Sequence, residues 1–364
     1  MDRQIFKTIA AGVVSLSVLA GCSSGVKEES KGSVDYNRLS LEEIEEGAKK
    51  DGELASVGMP DTWANWVQTW DELEKKYGIK HTDTDMSSAE ELAKFESEGE
   101  NGTADIGDVG IAFGPIAEEK GLTLPYKTSY WDEIPSWAKD DDGDWIVGYT
   151  GTLAFITDKN KAKDAPASWE DLKNGNYKVS IGDVETANQA QFAVLAAAYA
   201  FGGDEKNIEP GVEFFADLAK QGRLGTNDPG LAQLEKGEVE VAIMWDFNAL
   251  NYRDQINKDR FDVTIPEEGS VMSGYATIIN KHAPNPNAAA AAREYILSDK
   301  GQENLARGYA RPIRDVQLPE DVKAKLLPDE MYKNVQPVKD PDAWTETTKQ
   351  LPQAWQEEVL IHVK

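Results

Sequence analysis

Glu53-Leu54-Ala55-Ser56-Val57-Gly58, Lys80-His81-Thr82-Asp83-Thr84 and Ala104-Asp105-Ile106-Gly107-Asp108-Val109 are three short strand-like runs separated by two helix-like segments. In the first segment Trp63, Trp66, Val67, Trp70, Leu73 and Tyr77 recur at helical spacing, with Asp61 placed to cap the start and Gly78 to end it. In the second, Ser88 and Glu91 have capping-box spacing. A β-α-β-α-β order predicts a mainly parallel sheet covered by helices, an α/β fold.

The pattern continues outward. Residues 145–157 form a long extended stretch, and 178–182 a short strand followed by an almost wholly apolar helix over 191–201. Residues 239–245 read as a buried strand, 271–279 as another extended stretch, and 287–306 as helical. Two α/β units are expected, joined where the chain crosses near 150 and 270.

Upstream, Arg3 and Lys7 precede an apolar run of about a dozen residues, short of the roughly 20 that span a bilayer. This fits a secretory signal. It ends in Leu19-Ala20-Gly21-Cys22, which resembles the lipobox of bacterial lipoproteins. That resemblance implies a signal over 1–21, lipidation of Cys22, and a place on the extracytoplasmic face of a bacterial cell membrane, periplasmic or at the cell surface. A polar tether is expected over 22–50, with a helix toward its end. Cys22 is the sole cysteine of the 364 residues, so no internal disulfide can form.

The net charge of −27 argues against nucleic acid and against broad contact with anionic headgroups, both of which ask for a basic surface. Enzyme signatures are poor. The three histidines, His81, His282 and His362, are far apart, and no nucleophile elbow, HExxH motif or phosphate loop occurs. A lipid-anchored hydrolase using two carboxylates remains as the rival reading.

Several motifs resemble solute-binding proteins of ABC importers: Gly52-Glu53-Leu54 with Tyr77-Gly78-Ile79, Gly151-Thr152-Leu153-Ala154-Phe155-Ile156-Thr157-Asp158, and Pro166-Ala167-Ser168-Trp169. Leu234-Glu235-Lys236-Gly237-Glu238-Val239 leading to Trp245, then Pro286-Asn287-Ala288-Ala289, Tyr295-Ile296-Leu297-Ser298 and Gly301-Gln302, complete the set. The resemblance is to the branch holding polyamine-, ferric-ion-, thiamine- and phosphonate-type binders. It implies a two-lobed, periplasmic-binding-protein-like fold with a hinge and an interlobe ligand cleft. Lobe 1 is expected over 51–152 and 268–310, and lobe 2 over 153–267 and 311–364. It also implies a small-molecule ligand, a partner permease and ATPase, a monomer, and no cofactor or metal.

In open α/β sheets ligands sit beyond the carboxyl ends of strands. That rule selects residues 59–63 with Asp61 and Trp63, 108–110 with Asp108, 183–188, and 245–248 with Trp245 and Asp246. Tyr149 and Thr150 on the first extended stretch, and Tyr275 on the second, complete the expected contacts. Carboxylates among aromatic faces suit an amine. The polyamine resemblance implies that Asp183 and Glu185 grip amines and that Trp245 lines the cleft, but Ser273 and Tyr275 stand where that group carries an aromatic residue and an aspartate. A phosphonate or phosphate ester would instead use helix starts near Ser87 and Thr186, with Arg311. A ferric ion would draw on Tyr275, although no adjacent tyrosine pair occurs.

Overall fold

A computed structural model describes residues 34–225 and 229–363. The signal segment and Cys22 lie outside the described residues. No described helix is long and apolar enough to cross a membrane.

The chain enters through α1 (Leu41–Asp51), β1 (Glu53–Val57), α2 (Trp66–Tyr77), β2 (Lys80–Thr84), α3 (Ser88–Glu98), β3 (Ile106–Gly110) and α4 (Phe113–Glu119). The middle comprises β4 (Trp145–Asp158), α5 (Trp169–Asn174), β5 (Val179–Ser180), α6 (Asn188–Ala200), α7 (Glu209–Lys220) and α8 (Leu231–Lys236). Then come β6 (Val241–Trp245), α9 (Asp246–Ile256), β7 (Phe261–Thr264), β8 (Ser270–Ile279), α10 (Pro286–Leu297) and α11 (Asp299–Arg307). The chain closes with β9 (Arg311–Pro312), α12 (Glu320–Lys323), β10 (Val335–Pro337) and α13 (Pro341–Glu358).

The sheet order is β2-β1-β3-β8-β4-β6-β5. β1 lies parallel to both β2 and β3, while β8 runs antiparallel between β3 and β4. β4 is buried along all 14 residues. Its first part, to Thr152, pairs with β8; from Leu153 it pairs with β6, and from Phe155 with β7 on the other side. One strand thus runs through both halves of the sheet. The α/β class follows from this arrangement.

α1 is docked rather than loose. Ser40 and Glu43 form its capping box, Gly52 in the left-handed region ends it, and Ile44 and Ala48 are fully buried. Asp51 then accepts the backbone N–H groups of Asn287 and Ala288 at the start of α10. The stretch from 41 onward, read from sequence as the end of a tether, is a helix of the fold.

Two capping expectations shift. α2 begins at Trp66 with Asn65 as its left-handed N-cap, so Asp61 does not cap it. The capping box of α3 is Ser87 with Glu90, one residue earlier than Ser88 and Glu91. That slip turns Ser88 and Glu91 inward. α6 buries nearly its whole surface; Phe192, Val194 and Leu195 each stabilise the fold by roughly 1.5–3 kcal/mol.

Candidate ligand-binding cleft

The site forms where β1 and β3 end and α3, α6 and α9 begin. Gly58 turns the chain out of β1 with φ +68°. Ala64 and Asn65 follow with φ of 46° and 60°, a conformation that side chains normally avoid. Asn65 is held there by donating its amide to Asn304 O and Gln68 Oε1. This strained turn aims Trp63 into the cleft.

Aromatic rings from four elements then meet. Trp63 lies edge-on to Phe247 and to Tyr275, each at 5.4 Å between ring centres. Tyr149 on β4 and Tyr275 on β8 stack at 5.6 Å. Trp245 donates its Nε1–H to the Tyr275 hydroxyl at 3.0 Å. Gly151 makes room for this cluster, because a Cβ there would stand 2.5 Å from Phe247.

The cluster leads to a carboxyl group. Trp63 Nε1–H donates to the Tyr149 hydroxyl at 2.6 Å, and that hydroxyl donates to Asp108 Oδ2 at 2.6 Å. Asp108 Oδ1 is buried and has no hydrogen-bond partner among the described residues. Trp66 Nε1 is equally without a partner, close enough to favour the charged Asp108 yet outside hydrogen-bond geometry. Burial drives the Asp108 carboxyl up to about 8, against the Tyr149 hydrogen bond that opposes the rise.

Glu91 stands beside it. Its Oε2 accepts the Asp108 N–H at 3.0 Å, and its carboxyl is wedged where Cβ atoms on Gly58 or Gly107 would stand 2.3 and 2.4 Å away. Burial first, then the Asp108 charge, pushes Glu91 well above the ordinary carboxylate range. Asp85, also on the cavity wall, is raised by burial and by Glu90. Burial raises both carboxyls, and the charge of Asp108 raises Glu91 further, so the two do not both ionise readily in an empty site.

The opposite wall comes from α6, α8 and α9. Asn188 and Gln189 open α6, Gly230 and Leu231 open α8, and Asn248 and Tyr252 project from α9. The cavity is about 450 Å³, within the range of small-molecule sites. No lysine or arginine lines it among the described residues.

Of the residues expected from sequence, Trp63, Asp108 and Tyr275 line this cavity. Tyr149 and Trp245 are fully buried behind it and act through Trp63, Asp108 and Tyr275. Thr150 is buried in the ladder opposite Gly274 and Arg311 and does not line the cavity. Asp246 is buried and already engaged, accepting the N–H groups of Thr152 and Phe247 and the hydroxyl of Tyr332. Asp61 is exposed and borders a separate hollow with Asn251 and Arg307. Asp183 is exposed and turned back on Thr186 and the Glu185 N–H, while Glu185 accepts from Gln356. Neither lines this cavity, although Asp183 lines an adjoining hollow that shares Ser87 and Ala187 with it. Arg311 lies over the Tyr332 ring at 3.8 Å, outside the cleft lining.

Asp85, Glu91, Asn188 and Tyr252 were not among the expected contacts. Asn188 and Asn248 do fall inside segments that the strand-end rule selects, whereas Glu91 was read as a helix cap.

A curved α/β sheet with a strand shared between its halves and an acid- and aromatic-lined cleft defines a two-lobed binding protein. The chain matches the bacterial extracellular solute-binding protein family over residues 101–337 and belongs to it. The sulfate-binding protein of Escherichia coli (strain K12) is 26% identical over 191 residues, 49% of this chain and 57% of that protein. The chain thus spans little more than half the length of that relative. Iron uptake protein A2 of Synechocystis is 26% identical over 241 residues, 61% of this chain and 68% of that protein. Among solved structures, the periplasmic binding protein AfuA from Actinobacillus pleuropneumoniae, with fructose-6-phosphate bound, superposes with a TM-score of 0.70 at 19% identity. It covers 84% of this chain and 98% of that one. The ferric binding protein from Campylobacter jejuni gives 0.64 at 23% identity, covering 84% and 98%. These likenesses fix the fold as that of the two-lobed periplasmic binding proteins, a fold and a family of binders rather than enzymes.

Proposed function

We propose that the cleft captures a small organic cation, an amine, and delivers it unchanged to an ABC-type permease and ATPase encoded elsewhere. The observation that carries this reading is the wall itself: Asp85, Glu91 and Asp108 among Trp63, Tyr252 and Tyr275, with no basic side chain among the described lining residues. Carboxylates hold ammonium hydrogens, and aromatic faces hold the charge and the adjoining methylenes.

The relatives named for sulfate and the neighbour titled with a sugar phosphate favour an oxyanion reading. Against it stand three carboxyls facing the same space. A ferric ion is disfavoured because Tyr149 and Tyr275 stack on each other and their hydroxyls are bonded to Trp63, Asp108 and Trp245. Calorimetric titration with amines, thiamine, ferric complexes, sulfate and sugar phosphates tests the reading, with recovery of the ligand afterwards. Binding confined to oxyanions, or a ligand recovered chemically altered, overturns it.

The same reading places the protein on the membrane through a lipid at Cys22. Cys22→Ser is expected to move the protein from the membrane fraction to the soluble fraction. Continued membrane retention, with no acyl chain on the native protein, removes the anchor.

A further inference from the structure

Of the helices that begin at the cleft, α3 and α6 differ at their starts. α3 is closed by its own capping box, with Ser87 and Glu90 satisfying the first N–H groups. α6 starts on the facing wall after Ala187, which has no side-chain oxygen to offer them. A helix start carries partial positive charge and exposed N–H donors.

A second observation lies at the same place. Asn188 is 2% exposed, lines the cavity, and has no partner for either Nδ2 or Oδ1 among the described residues. It rests on the backbone of Gly110, where a Cβ would stand 2.0 Å from Asn188 Cγ. It also stands beside the Tyr275 hydroxyl, near enough to favour that hydroxyl's ionisation but outside hydrogen-bond geometry. A buried amide without partners is unfavourable in an empty site and is relieved when a ligand supplies them. The carboxylates nearest in sequence point elsewhere: Asp183 turns back on Thr186, and Glu185 is bonded to Gln356.

We propose that the ligand is bipolar, with its ammonium end at Asp108 beside Trp63 and a carboxylate or comparable oxyanion received by the Asn188 amide and the start of α6. The proposal rests on the amine reading above and narrows it to amines that carry an acidic group. It also accounts for a site that combines an acidic wall with an open helix start. Neither a simple diamine nor a free oxyanion would satisfy both walls.

The test is calorimetric titration of the wild-type protein with a length series of straight-chain ω-amino acids, alongside the monoamines, diamines and carboxylic acids of matching length. One amino acid is expected to bind at least about tenfold tighter than its matched monoamine, diamine and acid. Asn188→Asp, which sets a carboxylate against the acidic end, is expected to remove that preference and to improve diamine binding. Asn188→Ser, smaller and neutral, serves as the second variant and is expected to lose part of the preference. A diamine or monoamine that binds tightest, with both variants silent, overturns the bipolar ligand and leaves the amine reading standing. Acids binding where amines do not overturns the amine reading itself. No binding by any member of the series also overturns the bipolar ligand.

Discussion

Asp108→Asn is expected to weaken binding of the organic cation by about 30-fold or more. Removing one partner of a buried charge pair costs roughly 2–5 kcal/mol, and 1.4 kcal/mol is a factor of ten. The substitution is nearly isosteric, and the amide oxygen still accepts from the Tyr149 hydroxyl, which bonds Oδ2 at 2.6 Å in the native site. The lost affinity therefore reports charge rather than collapse of the cleft. The empty protein is expected to respond in the opposite sense. Asp108 is raised in the fold from 3.8 to about 8. A raised acid contributes stability that is fully present below its unfolded value and is lost as pH rises through its folded value. Unliganded wild type is thus expected to lose stability across this window, and Asp108→Asn to lose less. Glu91, no longer beside an ionising neighbour, ionises more readily in the variant. Thermal melts of both proteins from pH 4 to pH 8, with titrations at fixed pH, check both effects. Unchanged affinity, or parallel melting curves, contradicts the assignment.

Arg293→Ala is expected to destabilise the protein by roughly 3–5 kcal/mol without altering the ligand preference of the folded molecule. Arg293 on α10 is fully buried and sends its guanidinium to the Thr277 side chain and to the carbonyls of Tyr126, Gly143 and Thr277. Burial lowers its pKa to about 10, so the group stays charged at neutral pH. Among the described residues no carboxylate bonds it directly; backbone oxygens solvate it. Alanine leaves these carbonyls buried without a donor, each such loss costing roughly 1–3 kcal/mol. Lysine keeps the charge but not the planar fork, so Arg293→Lys is expected to fall between. Denaturant unfolding monitored by tryptophan fluorescence reads the difference. A loss below about 1 kcal/mol for Arg293→Ala contradicts this account.

Much of the fold was legible because its signals are local. The alternation over 53–109 and the left-handed glycine at Gly78 each act within a few residues. The site was legible only where its residues face the cavity for local reasons, as Trp63, Asp108 and Tyr275 do. The rest depends on partners far along the chain. Asp246 looks like a strand-end ligand until Tyr332 arrives from the C-terminal region to occupy it. Glu185 looks free until Gln356 on α13 bonds it. Glu91 looked like a helix cap because Ser87 and Ser88 are adjacent, and a shift of one residue decides which glutamate is buried. Asn188 ends the segment 183–188 that the strand-end rule selects, but its burial depends on the missing side chain of Gly110, far off in sequence.

The most direct measurement is the number of protons exchanged when ligand binds, obtained by calorimetry at pH 7 in two buffers of unlike ionisation enthalpy. With Asp108 raised to about 8, the empty site is mostly protonated at this pH, and an arriving ammonium must displace that proton. The account predicts that an amine ligand binds with release of a proton from these buried carboxyls, and that Asp108→Asn reduces the release. Binding of an oxyanion with proton uptake, or with none exchanged, while no amine binds at all, would contradict it.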